Sequence, residues 1–470
     1  MTNFDAAACA AILDLGKTRA KLSVVNGSGT VLATQDAPAT EFGQSASNGT
    51  FDIEHIAHWC ESALAVLYRQ FPFAHLIAVT HGATAVAIDR SGAPTPVRDY
   101  EADIPFELCR HYDKLRPAFA ETGSPPLPLG LNLGRQLFQQ QQTPEAFRDT
   151  RALLTYPQFW TWRWAGALGT DISSLGCHTD LWEPRNARWS SLAKQFGWDD
   201  LFPPLVEAGG VAGLLQNSIA TRLQPTRPIT VHWGVHDSNA ALAAFLGDQE
   251  PFTLLSTGTW LIAFAVGSNT IALDPNRDTL WNVDVFGRPV ASARFMAGRE
   301  REAIAGNREN ATVAALRALL DTDAIALPSF AAGGGFPELR GRIHSSLPLQ
   351  DNARAALASL YLALMIDAAL DLIGSVGRII VEGPLADDDA ALTALAALRP
   401  QQAVMVTQTN CVAHGAARLV FGTDLPSPDT RPIALQSDLV MPLDQRRAEW
   451  RRLINGMQTH LQRDVENDES

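Results

Sequence analysis

Short apolar runs broken by polar tips set the first pattern in the chain. Ala11–Leu15 and Ala20–Val25 flank the tip Gly16-Lys17-Thr18, which predicts a β-hairpin. The pattern returns in "FTLLSTGTWLIAFAV", Phe252–Val266, with its tip at Thr257-Gly258-Thr259. The two hairpins lie about half a chain apart, and their likeness beyond the tips is too weak for a sequence repeat. They predict two halves on one plan, 1–247 and 248–470, each offering a tip to a shared cleft.

Between the tips the periods alternate, which predicts mixed α/β structure. Ile53–Phe71 has helical spacing, His75–Thr80 and Val86–Asp89 read as strands, and His81-Gly82-Ala83-Thr84 reads as a turn. Residues 123–134 form a Pro/Gly/Leu loop, and Leu153–Gly169 carries Trp160, Trp162 and Trp164, which either stack on a ligand or pack a core. Pro228–Trp233 is a short strand leading into a small-residue helix to Leu246, with Asp237 or Ser238 as its cap. The second half holds helices at Asn352–Ile373, Ala390–Leu398, Val412–Phe421 and Gln445–Leu461, and strands at Arg378–Val381 and Val404–Thr407. The end, "RDVENDES", reads as a frayed tail.

Length and charge narrow the function. A chain of 470 residues exceeds one core and implies two or three domains. Its net charge of −13 disfavours nucleic acid, whose phosphates need a basic surface, yet permits a small anion met locally by backbone amides and a metal. Five scattered cysteines with no C-x-x-C fit free thiols in a reducing cytoplasm. The acidic N-terminus is unlike a secretory signal, and no window approaches 18 uninterrupted apolar residues, so no membrane span is expected.

Gly16-Lys17-Thr18 ends like a Walker A loop but fails its spacing, because residue 11 is Ala11 and Ala11–Leu15 is strand. Asp14, at the strand's end, either caps its own turn or holds Mg²⁺ through water. Lys17 and Thr18, paired with the tip Thr257–Thr259, could grip nucleotide phosphates from two sides. Asp237 follows a strand and Gly234 and opens a helix. It is either a plain cap or the carboxylate that takes a proton from an acceptor hydroxyl, kept ionised by the helix N-terminus. His236 reads as a packing or orienting residue. Gly333-Gly334-Gly335 and Glu382-Gly383-Pro384 are turns where backbone could approach a ring or ribose.

In this order, the motifs resemble the FGGY carbohydrate kinases of the actin and hexokinase superfamily. Asp14–Lys21 is similar to the family's first phosphate motif, "LLSTGTW" (254–260) to its second, and "PITVHWGVHDSNAALAAFLG" (228–247) to its catalytic segment. "LLTYPQFWTWRWAGALGTDISSLGCHTDLWEP" (153–184) resembles a further family segment. "IIVEGPLADDDAALTALAAL" (379–398) with Ala413–Ala417 resembles the adenosine motif. The resemblance implies an α/β fold of two actin-like (ribonuclease H-like) domains with a central cleft, whose closure excludes water. It implies an ATP-dependent sugar kinase with Asp237 as base and substrate residue, and Mg²⁺ on Asp14 and Asp237. ATP contacts then fall on Gly16, Lys17, Thr18, Lys21, Thr257, Gly258, Thr259, Gly334, Gly335, Gly383 and Pro384. Sugar contacts fall on His81, Gly82, Tyr100, Phe159 and His236, with Asp99 nearby. A homodimer in the cytoplasm is compatible with the family, with neither membrane nor nucleic acid as partner. Three departures stand out: Lys17 where many members carry Thr, Glu382-Gly383-Pro384 for Gly-Gly-Gly, and no glutamine at His81–Ala83. A branch similar to L-fuculose and L-rhamnulose kinases tolerates changes such as the first; the other two bear on nucleotide preference and argue against xylulose or glycerol. The rival reading is a non-catalytic actin-like, nucleotide-dependent sugar sensor.

Overall fold

A computed structural model of the chain describes residues 6–17, 19–38, 49–128, 130–142, 147–247, 251–268, 272–422 and 425–468. Thr18 lies outside them. The chain forms two compact units. The first is Met1–Asp248 with Trp281–Pro289 and Asn410–Pro428; the second is Gln249–Leu280, Val290–Thr409 and Asp429–Ser470. The division after 248 falls where the hydrophobic pattern restarts, but two later segments return to the first unit.

In the first unit, β1 (Cys9–Leu15), β2 (Arg19–Asn26) and β3 (Val31–Pro38) form an antiparallel meander. After α1 (Ile53–Gln70), β4 (His75–Thr80) lies parallel to β1. A large insertion then carries β5 (Ala85–Asp89), β6 (Thr150–Thr155) and α2 (Tyr156–Ala165). The chain returns through β7 (Val211–Leu214) and β8 (Thr230–His232), giving the order β7-β8-β4-β1-β2-β3. A short β9 (Val235–His236) also pairs with β4 and leads into α3 (Asp237–Ala243). The cap of α3 is His236, so Asp237 is the first helical residue rather than the cap expected from sequence.

β1 and β4 are buried along nearly their whole length, which is why they read as unbroken apolar runs. Trp160 and Trp164 are buried in this core, as packing rather than ligand residues. The helix Cys411–Phe421 belongs here too: Gly415 packs against the carbonyl of Ala240 on α3, an approach only a residue without a side chain allows.

The second unit repeats the plan. β10 (Phe252–Thr257) and β11 (Leu261–Val266) form the hairpin, and β12 (Pro289–Phe295) runs antiparallel to β11. Next comes α4 (Ala297–Ala305), followed by α5 (Asp351–Leu372). β13 (Arg378–Glu382) lies parallel to β10, and β14 (Val404–Val406) parallel to β13, with α6 (Asp389–Leu398) between them in sequence. An antiparallel meander followed by parallel strands, found twice, is the actin-like arrangement expected from the two hairpins.

α5 is long and apolar enough to cross a bilayer by length and composition, which the count of uninterrupted apolar residues overlooks. Most of it is buried inside this unit as its central helix. The last helix, α7 (Ser437–Asp468), is far longer than the Gln445–Leu461 expected, and it continues through most of the tail read as frayed. Trp450 and Ile454 on it are buried, and the Trp450 indole donates to the Ala326 carbonyl at 2.9 Å.

Candidate active site

Register brings three strand ends of the first unit together. Leu15 pairs with Thr80, and Thr80 with His236, so Asp14–Lys17, Thr80–Gly82 and His236–Asp237 stand along one crest. The carboxyl ends of parallel strands are where open α/β sheets bind ligands. Asp14 is half-buried and lies directly across from Lys21, on the same face of the hairpin.

His81 is the hub of the crest. Its ring sits among Phe51, Tyr100 and Tyr156 at centroid distances of 5.7, 5.3 and 5.0 Å. Burial holds its imidazole below the ordinary value, partly offset by the Gly82 carbonyl and by Asp237. A Cβ on Gly82 would lie 2.7 Å from His236 Nε2, so the turn must lack a side chain for that ring to stand there. Lys17 is turned to this pocket. Its ammonium is bonded to Asp99, lies 3.6 Å from Glu101 Oε2, and sits 4.8 Å from the centre of the Tyr100 ring.

Asp237 takes hydrogen bonds on Oδ1 from the Ser238 N–H at 2.6 Å and the Ser238 hydroxyl at 3.2 Å. Its side chain is 29% exposed, whereas the adjoining His236 is 6% exposed. Phe159 is fully buried in the core, one helical turn from Tyr156, which is the residue of that segment that meets His81. Phe51 and Tyr156 escaped sequence reading because nothing in their local pattern separates a pocket aromatic from a core one. Asp99 was placed near the pocket, but its pairing with Lys17 was not foreseen.

In the second unit a cavity of about 440 Å³ opens at the hairpin tip, within the size range of small-molecule sites. Of the residues expected to contact ATP, Thr257, Gly258 and Pro384 line it. Leu261, Leu362 and Leu385 give it an apolar side, and Arg301, Arg308, Asn310 and Asp387 a polar one. Gly298, in the first turn of α4, also lines it, and its N–H donates to the Thr259 carbonyl at 3.2 Å. The helix N-terminus therefore faces the tip, an arrangement suited to phosphate. Gly383 has φ of 83° and packs on the Thr257 carbonyl, while the Thr257 hydroxyl donates to the Glu382 carbonyl at 2.5 Å. These bonds tie the turn to the tip. Gly334 and Gly335 do not line this cavity. Gly334 sits against Phe295, and its N–H donates to Asp278 at 3.1 Å.

The pattern of the FGGY carbohydrate kinase C-terminal domain matches residues 249–428. A carbohydrate kinase from Novosphingobium aromaticivorans is 36% identical, with a TM-score of 0.86 over 96% of this chain and 99% of that one. The chain belongs to the FGGY carbohydrate kinases. The kinase also shares its fold with a xylulose kinase from Rhodospirillum rubrum (16% identity, TM-score 0.78, 95% and 98% covered). A glycerol kinase from Plasmodium falciparum is likewise similar (12% identity, TM-score 0.74, 95% and 98% covered). A search of curated protein sequences gives no match. The kinase is thus a phosphotransferase that uses ATP on a sugar.

Proposed function

We propose that the kinase transfers the γ-phosphate of ATP to a hydroxyl of a small, neutral keto-sugar or polyol, with Asp237 as general base. The observation that carries this reading is the crest of the first unit. An accessible carboxylate stands there beside an aromatic pocket built around His81. Phosphoryl transfer to an alcohol asks little more of the protein than one carboxylate to accept the hydroxyl proton, together with positioning of both substrates. The Ser238 bonds fall on Asp237 Oδ1, and among the described residues Oδ2 takes none, which leaves it to the acceptor.

Charge supports a neutral acceptor. Lys17 is paired with two carboxylates, Asp99 and Glu101, a net of −1, and Asp237 adds a further negative charge beside His81. A sugar acid or sugar phosphate would meet repulsion there.

The cavity at Thr257-Gly258 suits ATP, with its base on the apolar side and its phosphates at the N-terminus of α4. Mg²⁺ fits Asp14 and Asp237 by donor type. Both offer hard oxygens, and no cluster of three ligating side chains exists among the described residues, so phosphate and water would complete the shell. Once bound, the ion neutralises charge on the transferring phosphoryl group.

The test is Asp237→Asn, assayed by ADP release over a panel of ketoses and polyols that includes the L-fuculose and L-rhamnulose series. Loss of a general base lowers turnover about 100- to 10,000-fold, with ATP binding unchanged. Retention of most activity would show that Asp237 is not the base.

A further inference from the structure

Asn239 lies in the first turn of α3, fully buried, with both ends of its amide engaged. Its Nδ2 donates to the carbonyl of Val283, and its Oδ1 lies 2.9 Å from His236 Nδ1. The assignment of these atoms follows from chemistry. A backbone carbonyl can only accept, so the NH₂ end must face Val283 and the oxygen must face the ring. An amide oxygen can only accept, so His236 Nδ1 carries the hydrogen. In the neutral ring Nε2 then holds a lone pair, and it stands 3.3 Å from Asp237 Oδ1.

From these contacts we infer that Asn239 is a positioning residue for the phosphoryl-transfer reaction. It fixes His236 in the Nδ1–H tautomer and anchors the ring to the chain segment Trp281–Pro289. This inference rests on the reading of Asp237 as the base. With the hydrogen so fixed on Nδ1, the neutral ring has none on Nε2 to donate to Asp237 Oδ1, and the carboxylate keeps its lone pairs for the acceptor hydroxyl. In the other tautomer Nε2–H would bond to Oδ1 and weaken it as a proton acceptor. A free ring could also turn away from Gly82 and vacate the wall of the pocket.

The anchor itself is firm. Val283 is buried, and a Cβ on Gly176 would lie 2.5 Å from its Cγ2, so that glycine leaves room for the segment. Asn282 beside it reaches Cys177 Sγ at 3.6 Å. Trp281–Pro289 is flanked on both sides in sequence by residues of the nucleotide-binding unit. The residue that orients His236 is therefore held by chain that the second half of the sequence supplies.

Two measurements test this. In ¹⁵N-histidine-labelled protein, the His236 resonances, assigned by their loss in His236→Gln, should report hydrogen on Nδ1. An Nε2–H tautomer in the wild type overturns the inference without any variant having to fold. Asn239→Leu should shift that signature and lower kcat on the order of 100-fold, the scale of a small misplacement at a reacting centre, with the KM for ATP unchanged. A folded Asn239→Leu enzyme whose kcat stays within about twofold of wild type, against that expectation, overturns the inference as well. A purely structural role would lower Tm and leave the kcat of the folded fraction intact. Failure of the base reading shows separately, as activity retained in Asp237→Asn.

Discussion

At the scale of single residues, Lys17 changed most between sequence and structure. Its tripeptide suggests a phosphate grip, yet its ammonium is held by Asp99 and Glu101 over the Tyr100 ring. It is 18% exposed and Asp99 8%, so the pair is only partly screened. Lys17→Met keeps the apolar stem and removes the charge, leaving Asp99 without this partner at the pocket. The expected result is a rise of about fivefold in the KM for the sugar, the effect of about 1 kcal/mol from a pair of this exposure. The KM for ATP should stay near the wild-type value. Steady-state kinetics with each substrate varied in turn decides the matter, because a phosphate-binding lysine would raise the KM for ATP instead. Asp14 and Asp237 could be placed from the sequence because one closes a recognisable strand and the other follows one. The box of Phe51, Tyr100 and Tyr156 was not, because it assembles from segments about 50 residues apart, and only β4 and its register bring them to His81.

At the scale of elements, long periodic segments read well and their ends read poorly. α1, α5 and α6 lie within a residue or two of expectation, because an apolar stripe repeated over many turns leaves little ambiguity. α7 runs past the expected Gln445–Leu461 at both ends, and Pro442, which ordinarily stops a helix, lies within its second turn. Pairings between elements left no trace in local pattern, and one has a consequence for pH. His75 on β4 and His232 on β8 meet with Nδ1 and Nε2 3.0 Å apart, and the edge of the Phe421 ring packs on His75. Burial is the main cause holding both imidazoles below their ordinary value, and the His75 ring further disfavours charge on His232. The unfolded chain therefore binds more protons than the folded protein once pH drops through about 6.5. Stability is fully present above that pH and is lost as pH falls toward the depressed folded values. Thermal melts from pH 7.5 to 5 should show Tm declining in the wild type. The decline should be shallower in His232→Gln, though not abolished, because buried His81 titrates with the same sign. Parallel Tm profiles for the two proteins would exclude the pair as the source.

At the scale of the whole molecule, the chain passes between its two units at 248/249, 280/281, 289/290, 409/410 and 428/429. In the sequence a new hairpin begins close to the first crossing, and nothing marks the others. Nothing local marks a helix as belonging to a sheet laid down 300 or more residues earlier. The helix Cys411–Phe421 shows why the later crossings matter. Its small face, with Gly415, Ala416 and Ala417 all buried, packs on α3, and the buried Arg418 guanidinium donates to the carbonyl of Leu246 at 3.1 Å, beyond the end of α3. A fragment ending at residue 247 would bare the apolar side of α3 and leave the Leu246 carbonyl without this donor. Unsatisfied buried polar groups cost about 1–3 kcal/mol each, a large share of the roughly 5–15 kcal/mol that holds a domain together. A 1–247 fragment is therefore expected to lack a cooperative melt and to bind apolar dye, even though it contains Asp14, His81 and Asp237. Adding residues 410–428 back through a flexible linker should restore a cooperative transition. If 1–247 melts cooperatively near the Tm of the full chain, the helix is an accessory and α3 is held by its own half. Failure to melt cooperatively would mean that the segment presenting the proposed base is folded by residues from both ends of the sequence. The two halves could then not have their activities assigned by cutting the chain at the boundary the sequence suggests.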